Sequence, residues 1–377
     1  MRALGLGQCL LWGALYYSYS VVLVPMSTTL RLPQVAVAGA FSTALLVAAL
    51  VAPWVGRSLD ARYARRVTVA GAAASAAGFV LLSALQGAAS LYAAWVLIGF
   101  GMATLLYEPA FATVARAFAA DEDRLRAIAT VSVLGGLAST LALPLIALAV
   151  GRWGWQTALV LCAVLVVLAA LGIDRRVARG LPAVHVRPVE DGRRASAGRP
   201  PHLVRLTSVF AVGTLASMGL TTLLIPALLE RGIRPDVAAC ILACLGVAQL
   251  PGRAWLARGR VARASTSLRL WPPVLQGLAL LLMAALPSAW TTALAVGMFG
   301  LGAGVQTLLR PWLVSRLYGA HAAGRWNGEV ARVQGLARAA GPVGAAALAS
   351  RIGHAEVLAS LGALTLLSAY WARRLPI

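Results

Sequence analysis

The chain has 377 residues, 60% of them hydrophobic, and a mean hydropathy of +0.80. Soluble domains sit at roughly 45–50% apolar, so this composition excludes an ordinary soluble protein and points to an integral membrane protein. The formal net charge is +21 and no lysine occurs, so all 33 basic residues are arginine. In a soluble chain such an excess would suggest a nucleic-acid partner. Here the arginines stand at the ends of apolar runs, where they set topology and meet lipid, and nucleic-acid binding is set aside. Alanine, leucine and arginine richness fits a GC-rich bacterial genome.

Apolar runs long enough to cross a bilayer, which takes ~20 helical residues, recur along the whole length. The first, Leu4–Thr28, is too long for a signal-peptide core and lacks a cleavage site, so it is expected to remain as the first helix. Further spans are expected near Val35–Val55, Val67–Gln86, Leu91–Phe111, Ala127–Val150 and Trp155–Ile173. A polar stretch rich in Arg, Pro and Gly follows, with His185 and His202, and reads as a linker over 174–205. Spans resume near Leu206–Leu229, Val237–Leu256, Leu268–Leu286, Thr291–Leu313, Val330–Ala349 and Ala355–Trp371. The fold class is therefore all-α integral membrane, with about 12 transmembrane helices. It divides into a bundle over 1–173, the cytoplasmic linker, and a second bundle over 206–377.

Arginine-bearing loops alternate with nearly bare ones. Arg57, Arg62, Arg65, Arg66, Arg116, Arg124, Arg126, the linker, Arg253–Arg269, Arg316, Arg325, Arg373 and Arg374 share one side. Only Arg31, Arg152, Arg231, Arg234 and Arg351 take the other. The arginine-rich side is expected to be cytoplasmic, with both termini inside a bacterial cytoplasmic membrane. The halves also match each other. Arg126–Ser139 aligns without a gap on Arg325–Arg338, at an offset of 325 − 126 = 199. Gly56-Arg57 with Arg62 recurs as Gly252-Arg253 with Arg258, and Leu106-Tyr107-Glu108-Pro109 as Leu308-Leu309-Arg310-Pro311. A duplicated six-helix half is expected.

The turn between the second and third spans, GRSLDARYARR, carries an acid and four arginines. Gly56, Asp60, Arg62, Arg65 and Arg66 resemble the G-x-x-x-D-R-x-G-R-R loop of the major facilitator superfamily. Ala61 is one residue more than that pattern has, and Ala64 stands at its loop glycine. The opening of the sixth span, Gly154-Trp155-Gln156, resembles the Gly-Trp-Arg of these proteins. The phrase Tyr107–Phe111, with Arg126-Ala127-Ile128 and Gly135–Ser139, is similar to a bacterial branch near the monocarboxylate-porter-like permeases. The resemblance covers essentially the whole chain. It implies two pseudo-symmetric six-helix bundles, transport by alternating access about a mid-membrane site, and a cavity lined by spans one, four, seven and ten. It also implies that Asp60 helps to hold the cytoplasmic side closed, through neighbouring arginines and a helix N-terminus.

An ionisable group inside a span is costly, so it faces a cavity or a partner. Glu108 lies before Pro109 in span four, with Thr104 four residues earlier on one helical face. Gln306 and Arg310 are likewise four apart in span ten. Two readings stand. In one, Arg310 fixes an anionic substrate and Glu108 titrates or gates; in the other, both brace loop arginines at the cytoplasmic rim. Glu329 and Arg332 can pair three residues apart, whereas Arg338 lies deeper and has no local acid, so a partner helix or a substrate carboxylate would relieve its burial. Tyr16 and Tyr19 of span one could bind substrate or serve as inter-helix ties.

The four cysteines, Cys9, Cys162, Cys240 and Cys244, lie in apolar runs without histidine partners and read as small hydrophobes, not as a metal site or disulfides. Glycine-rich strings such as Gly300–Gly304 lack the strand and lysine of a phosphate loop and read as packing surfaces. No catalytic triad, metal cluster or nucleotide motif is present, so no enzyme and no cofactor is expected. The function expected is secondary active transport of a small organic solute by alternating access, with proton-coupled uptake of an organic anion as one form it could take. Drug or metabolite efflux is one alternative and a non-transporting membrane sensor or scaffold the other. The expected partners are the solute, protons and the bilayer, and the chain is expected to act as a monomer.

Overall fold

The computed structural model describes residues 1–60, 64–84, 87–118, 120–180, 200, 202–257, 265–286, 288–319 and 322–376. Among the described residues every element is helical. In chain order these are α1 (Arg2–Trp12), a π-helical turn (Gly13–Tyr17), α2 (Ser18–Leu30), α3 (Gln34–Asp60), α4 (Ala64–Ser83) and α5 (Ala88–Leu105). Then come α6 (Tyr107–Ala117), α7 (Asp121–Gly136), α8 (Ala138–Gly180), α9 (Leu203–Leu229) and α10 (Pro235–Ala257). The last are α11 (Ser265–Leu268), α12 (Trp271–Ala285), α13 (Ala289–Tyr318), α14 (Ala323–Ile352) and α15 (His354–Arg373). Among the described residues eight helical stretches are long and apolar enough to cross a membrane, and Cys240–Leu256 and Trp271–Ala285 are shorter apolar helices. Most of the expected linker, 181–199 and 201, lies outside the described residues.

The surface inverts the pattern of a soluble protein. Leu145, Val247, Trp290 and Val343 are each more than three-fifths exposed. Water would reject such a face, whereas a hydrocarbon solvent does not. Without a hydrophobic drive between helices in lipid, association rests on close packing of small residues.

The chain forms two compact units. One comprises Met1–Ala119, Thr130–Val184 and Tyr318–Gly335; the other comprises Ala120–Ala129, His185–Leu317 and Leu336–Ile377. In the first, Leu11, Leu15, Val22 and Met26 pack with Phe79, Trp95, Ile98, Leu159 and Val166. In the second, Leu220, Leu224, Ile241, Leu280, Phe299 and Leu358 share a core. Internal duplication shows in the backbone. A Cβ on Gly99 would fall 2.5 Å from the carbonyl oxygen of Ala44, and one on Gly300 3.0 Å from that of Leu245. These pairs are related by one offset: 300 − 99 = 201 and 245 − 44 = 201. Gly154 (φ 81, ψ 162) separates the fifth and sixth spans inside α8, and Gly353 (φ 94, ψ 158) separates α14 from α15. Their offset, 353 − 154, is again 199, and both need the positive φ that glycine adopts without strain.

Candidate functional site

In the first unit, α3 ends on Asp60, whose carboxylate caps α14. Its Oδ1 accepts from the Gly324 N–H at 2.9 Å and its Oδ2 from the Arg325 N–H at 2.6 Å. These N–H groups open α14 and have no partner within that helix, and its dipole favours an anion there. Small residues bring the helices together. A Cβ on Gly56 would fall 2.0 Å from the Gly324 carbonyl oxygen, and one on Gly328 2.4 Å from that of Ala52. Ala49 lies against Gly335, two turns further along α14. The Arg116 guanidinium donates from Nη1 to the Leu59 carbonyl, which places a cation on the C-terminal end of α3. Arg65 pairs with Asp174 at 3.4 Å but is largely exposed, so that pair contributes little. Arg66 is exposed at the start of α4, and Arg62 lies outside the described residues. Glu329 and Arg332 pair at 2.8 Å on the same helix, as their spacing suggested.

The fourth span is not the single helix expected over Leu91–Phe111. Leu106 is extended (φ −75, ψ −151), so α5 stops at Leu105 and α6 begins at Tyr107 with Glu108 in its first turn. Pro109, three residues on, weakens the helix here. It has no N–H for the carbonyl four residues back, Leu105, and its ring crowds that carbonyl. The Gln8 side chain of α1 takes up the freed oxygen, with Nε2 donating to the Leu105 carbonyl at 2.8 Å. The break also separates Thr104 from Glu108, so the shared face expected from their spacing does not form. Thr104 is fully buried, donates to the Phe100 carbonyl at 2.9 Å and lies where a Cβ on Gly71 would sit. Glu108 is half-buried on the other side of the break.

Aromatic rings gather around this break. Trp12 lies 4.9 Å from Tyr107, and Tyr107 stacks on Phe111 at 5.0 Å. The Tyr107 hydroxyl donates to the Ser132 carbonyl at 3.5 Å, in the space that the absent Cβ of Gly135 leaves open. Tyr16, in the π-helical turn, is 5.3 Å from Trp12 and edge-on to Phe41 at 5.4 Å. Tyr19 stacks on the same Phe41 at 4.1 Å, so Phe41 brings the two predicted tyrosines together. Single-turn π-helices inside α-helices are frequent at functional sites.

In the second unit, Gln306 and Arg310 lie one turn apart on the unbroken α13, so their shared face forms. Gln306 ties three helices. Its Oε1 accepts from Gln276 Nε2 at 2.7 Å, its Nε2 donates to the Val209 carbonyl at 3.5 Å, and it packs on Gly213. Gln276 is fully buried. Arg310 and Arg338 are half-buried. A small pocket is lined by Val209, Phe210, Gln306, Leu309 and Arg269, and Arg269 donates to the Leu375 carbonyl. Gln8 and Gln276 were not among the candidates read from the sequence. The available signal was a lone amide inside an otherwise apolar run, a group that a low-dielectric setting obliges to find a partner.

Residues 4–342 match the Major Facilitator Superfamily. No curated protein matches the chain. Solved structures resemble it over nearly its whole length. The human organic anion transporter MFSD10 (TETRAN) is 18% identical, covers 98% of this chain and 97% of its own, and superposes with a TM-score of 0.73. The proton:xylose symporter XylE is 11% identical with a TM-score of 0.77, covering 98% and 94%. The E. coli fucose:proton symporter FucP is 14% identical with a TM-score of 0.75, covering 98% of each chain. Identities this low establish the fold alone. The family match over most of the chain, together with two units of membrane-crossing helices and an aspartate capping a helix from the signature loop, places this protein in the major facilitator superfamily, as a transporter and not an enzyme.

Proposed function

We propose that the protein is a proton-coupled secondary transporter that takes up a small organic anion by alternating access. It acts as a monomer in a bacterial cytoplasmic membrane, with both termini inside. The observation that carries this reading is the placement of Glu108 in the first turn of a half-helix that starts inside the fourth span. Broken spans are where transporters of this kind bind substrate and coupling ions, and a carboxylate there is a proton carrier by chemistry. Arg310, a half-buried guanidinium within α13, is the anchor for an anionic solute. Tyr16 and Tyr19 supply aromatic surface to the same half of the chain as Glu108. The Asp60 cap on α14 serves as a cytoplasmic gate. Two solved proteins of the same fold are named as proton symporters and one as an organic anion transporter, which accords with this reading. The test is uptake by the purified protein in proteoliposomes, across carboxylates, sugars and drugs, with and without an inward proton gradient. Carboxylate accumulation that needs the gradient is the expected result. Flux restricted to neutral sugars, or flux indifferent to pH, would overturn the substrate and coupling assignments. No gradient-dependent flux of any solute would favour a sensor or scaffold.

A further inference from the structure

We infer that Gln8 and Trp12 form a clamp on the broken fourth span, and that Gln8 is a positioning residue for Glu108. Both lie on α1, one turn apart, and they touch opposite sides of the break. Gln8, 1% exposed, donates to the carbonyl of Leu105, the last residue of α5. Trp12 packs its ring on Tyr107, the first residue of α6. Glu108 follows Tyr107 directly, so the place of its carboxylate depends on how α6 leaves Leu106.

Chemistry explains why a clamp is needed. Pro109 denies the Leu105 carbonyl its helical donor, and an unsatisfied carbonyl in a membrane interior costs several kcal/mol. The second half provides an internal control. Pro311 occupies the place of Pro109 (311 − 109 = 202), yet α13 runs unbroken through it. The offsets of 201 and 202 that relate the fourth span to its counterpart carry Gln8 onto Val209 or Phe210, and neither side chain has anything to donate. In this chain the proline without such a donor lies in a continuous helix, and the proline with one lies beside a break. Among the described residues the Gln8 Oε1 and Trp12 Nε1 have no hydrogen-bond partner in this conformation. Buried polar groups left in this way disfavour the state that holds them, so the clamp is suited to release when another arrangement supplies partners.

The inference concerns the shape of the fourth span, and its test does not depend on the solute named above. Spin labels at Val96 on α5 and Thr113 on α6 report the break in a chain whose four cysteines are replaced by alanine. A continuous helix would separate these backbones by about 25 Å, from a rise of 1.5 Å per residue, and one extended residue changes that by about 2 Å as well as bending the path. Pro109→Ala restores the missing N–H and is expected to move the distance to the continuous-helix value. Gln8→Leu is expected to broaden the wild-type distribution into two populations. Gln8→Asn, too short to reach Leu105, should do the same and serves where the leucine variant does not fold. In the Pro109→Ala background Gln8→Leu should add nothing, a dependence that general destabilisation would not show. A cysteine at Glu108 should change its rate of reaction with a water-soluble maleimide in Gln8→Asn and recover it when Pro109→Ala is added. Wild-type distances in both Gln8 variants, or an equal Gln8→Leu effect with and without Pro109, would overturn the clamp.

Discussion

Replacing Asp60 by asparagine tests the gate with the smallest change of shape. Asparagine offers one acceptor oxygen where the carboxylate offers two, so either the Gly324 or the Arg325 N–H loses its partner and faces an amide NH2. The bond that survives loses its charge. Hydrogen bonds to charged groups contribute about 1.5–3 kcal/mol each. An anion at a helix N-terminus adds ~0.3–1 kcal/mol. Asp60 is half-buried, so the low end of each range applies. The loss is then about 2 kcal/mol, a shift of roughly 30-fold in the equilibrium between joined and separated α3 and α14. Spin labels at Ser58 and Ala322 should show a new, longer distance in Asp60→Asn, and transport should slow. Asp60→Glu, which keeps the charge, should recover part of the short population. An unchanged distance together with wild-type flux would refute the reasoning, because the two short bonds would then contribute nothing to the resting state.

The two charges named for transport should fail in different ways: Glu108→Gln is expected to keep solute exchange and lose pH-driven accumulation, while Arg310→Gln is expected to lose solute binding at any pH. Mild losses with unchanged affinity in both would return them to a rim-bracing role. Gly56→Ala drives a methyl onto the Gly324 carbonyl oxygen, and overpacking of this kind typically costs ~1–3 kcal/mol, so its thermal midpoint in detergent should fall. Gly344→Ala, whose new Cβ meets nothing within 4 Å, should leave the midpoint within error of wild type. Cysteines introduced at Ala195 and Ser288 should react with an impermeant reagent from opposite faces of the membrane, and labelling of the Ala195 position from outside intact cells would invert the topology.

What the sequence made legible, and what it hid, follows from the range of the forces involved. Apolar runs and arginine placement are properties of whole segments, averaged over ~20 residues, and they gave the helices and the separation of α14 from α15 near Gly353. The capping role of Asp60 was reachable because the carboxylate and its loop form one short motif. The break at Leu106 was not, although Pro109 was in plain view. On the inference above it involves a donor 97 residues before Leu105, and the matching Pro311 lies in a continuous helix. Thr104 misled for the same reason, since spacing by four implies a shared face only while the helix continues. Gln306 was found for its polarity, but its partners, Gln276 and the Val209 carbonyl, come from helices whose approach no local pattern encodes.

The duplicated halves separate frame from chemistry. Glycines at one offset bring their helices equally close, as Gly99 does to Ala44 and Gly300 to Leu245, and Gly154 and Gly353 turn the chain through nearly the same angles. These positions tolerate no Cβ, either for lack of space or for backbone strain, so duplication retains them wherever the bundle is retained. Nothing steric binds the pair Glu108 and Arg310 in the same way, and there the halves part: one holds an acid beside a break met by an amide, the other a guanidinium on an unbroken helix. The carboxylate is thus set in the first turn of a half-helix behind a break, and the guanidinium in the middle of a continuous helix. Proton uptake calls for a group whose surroundings change between states, whereas anchoring an anion calls for one whose surroundings stay fixed. On the function proposed above, the broken span and the continuous one would then take different tasks in one transport cycle.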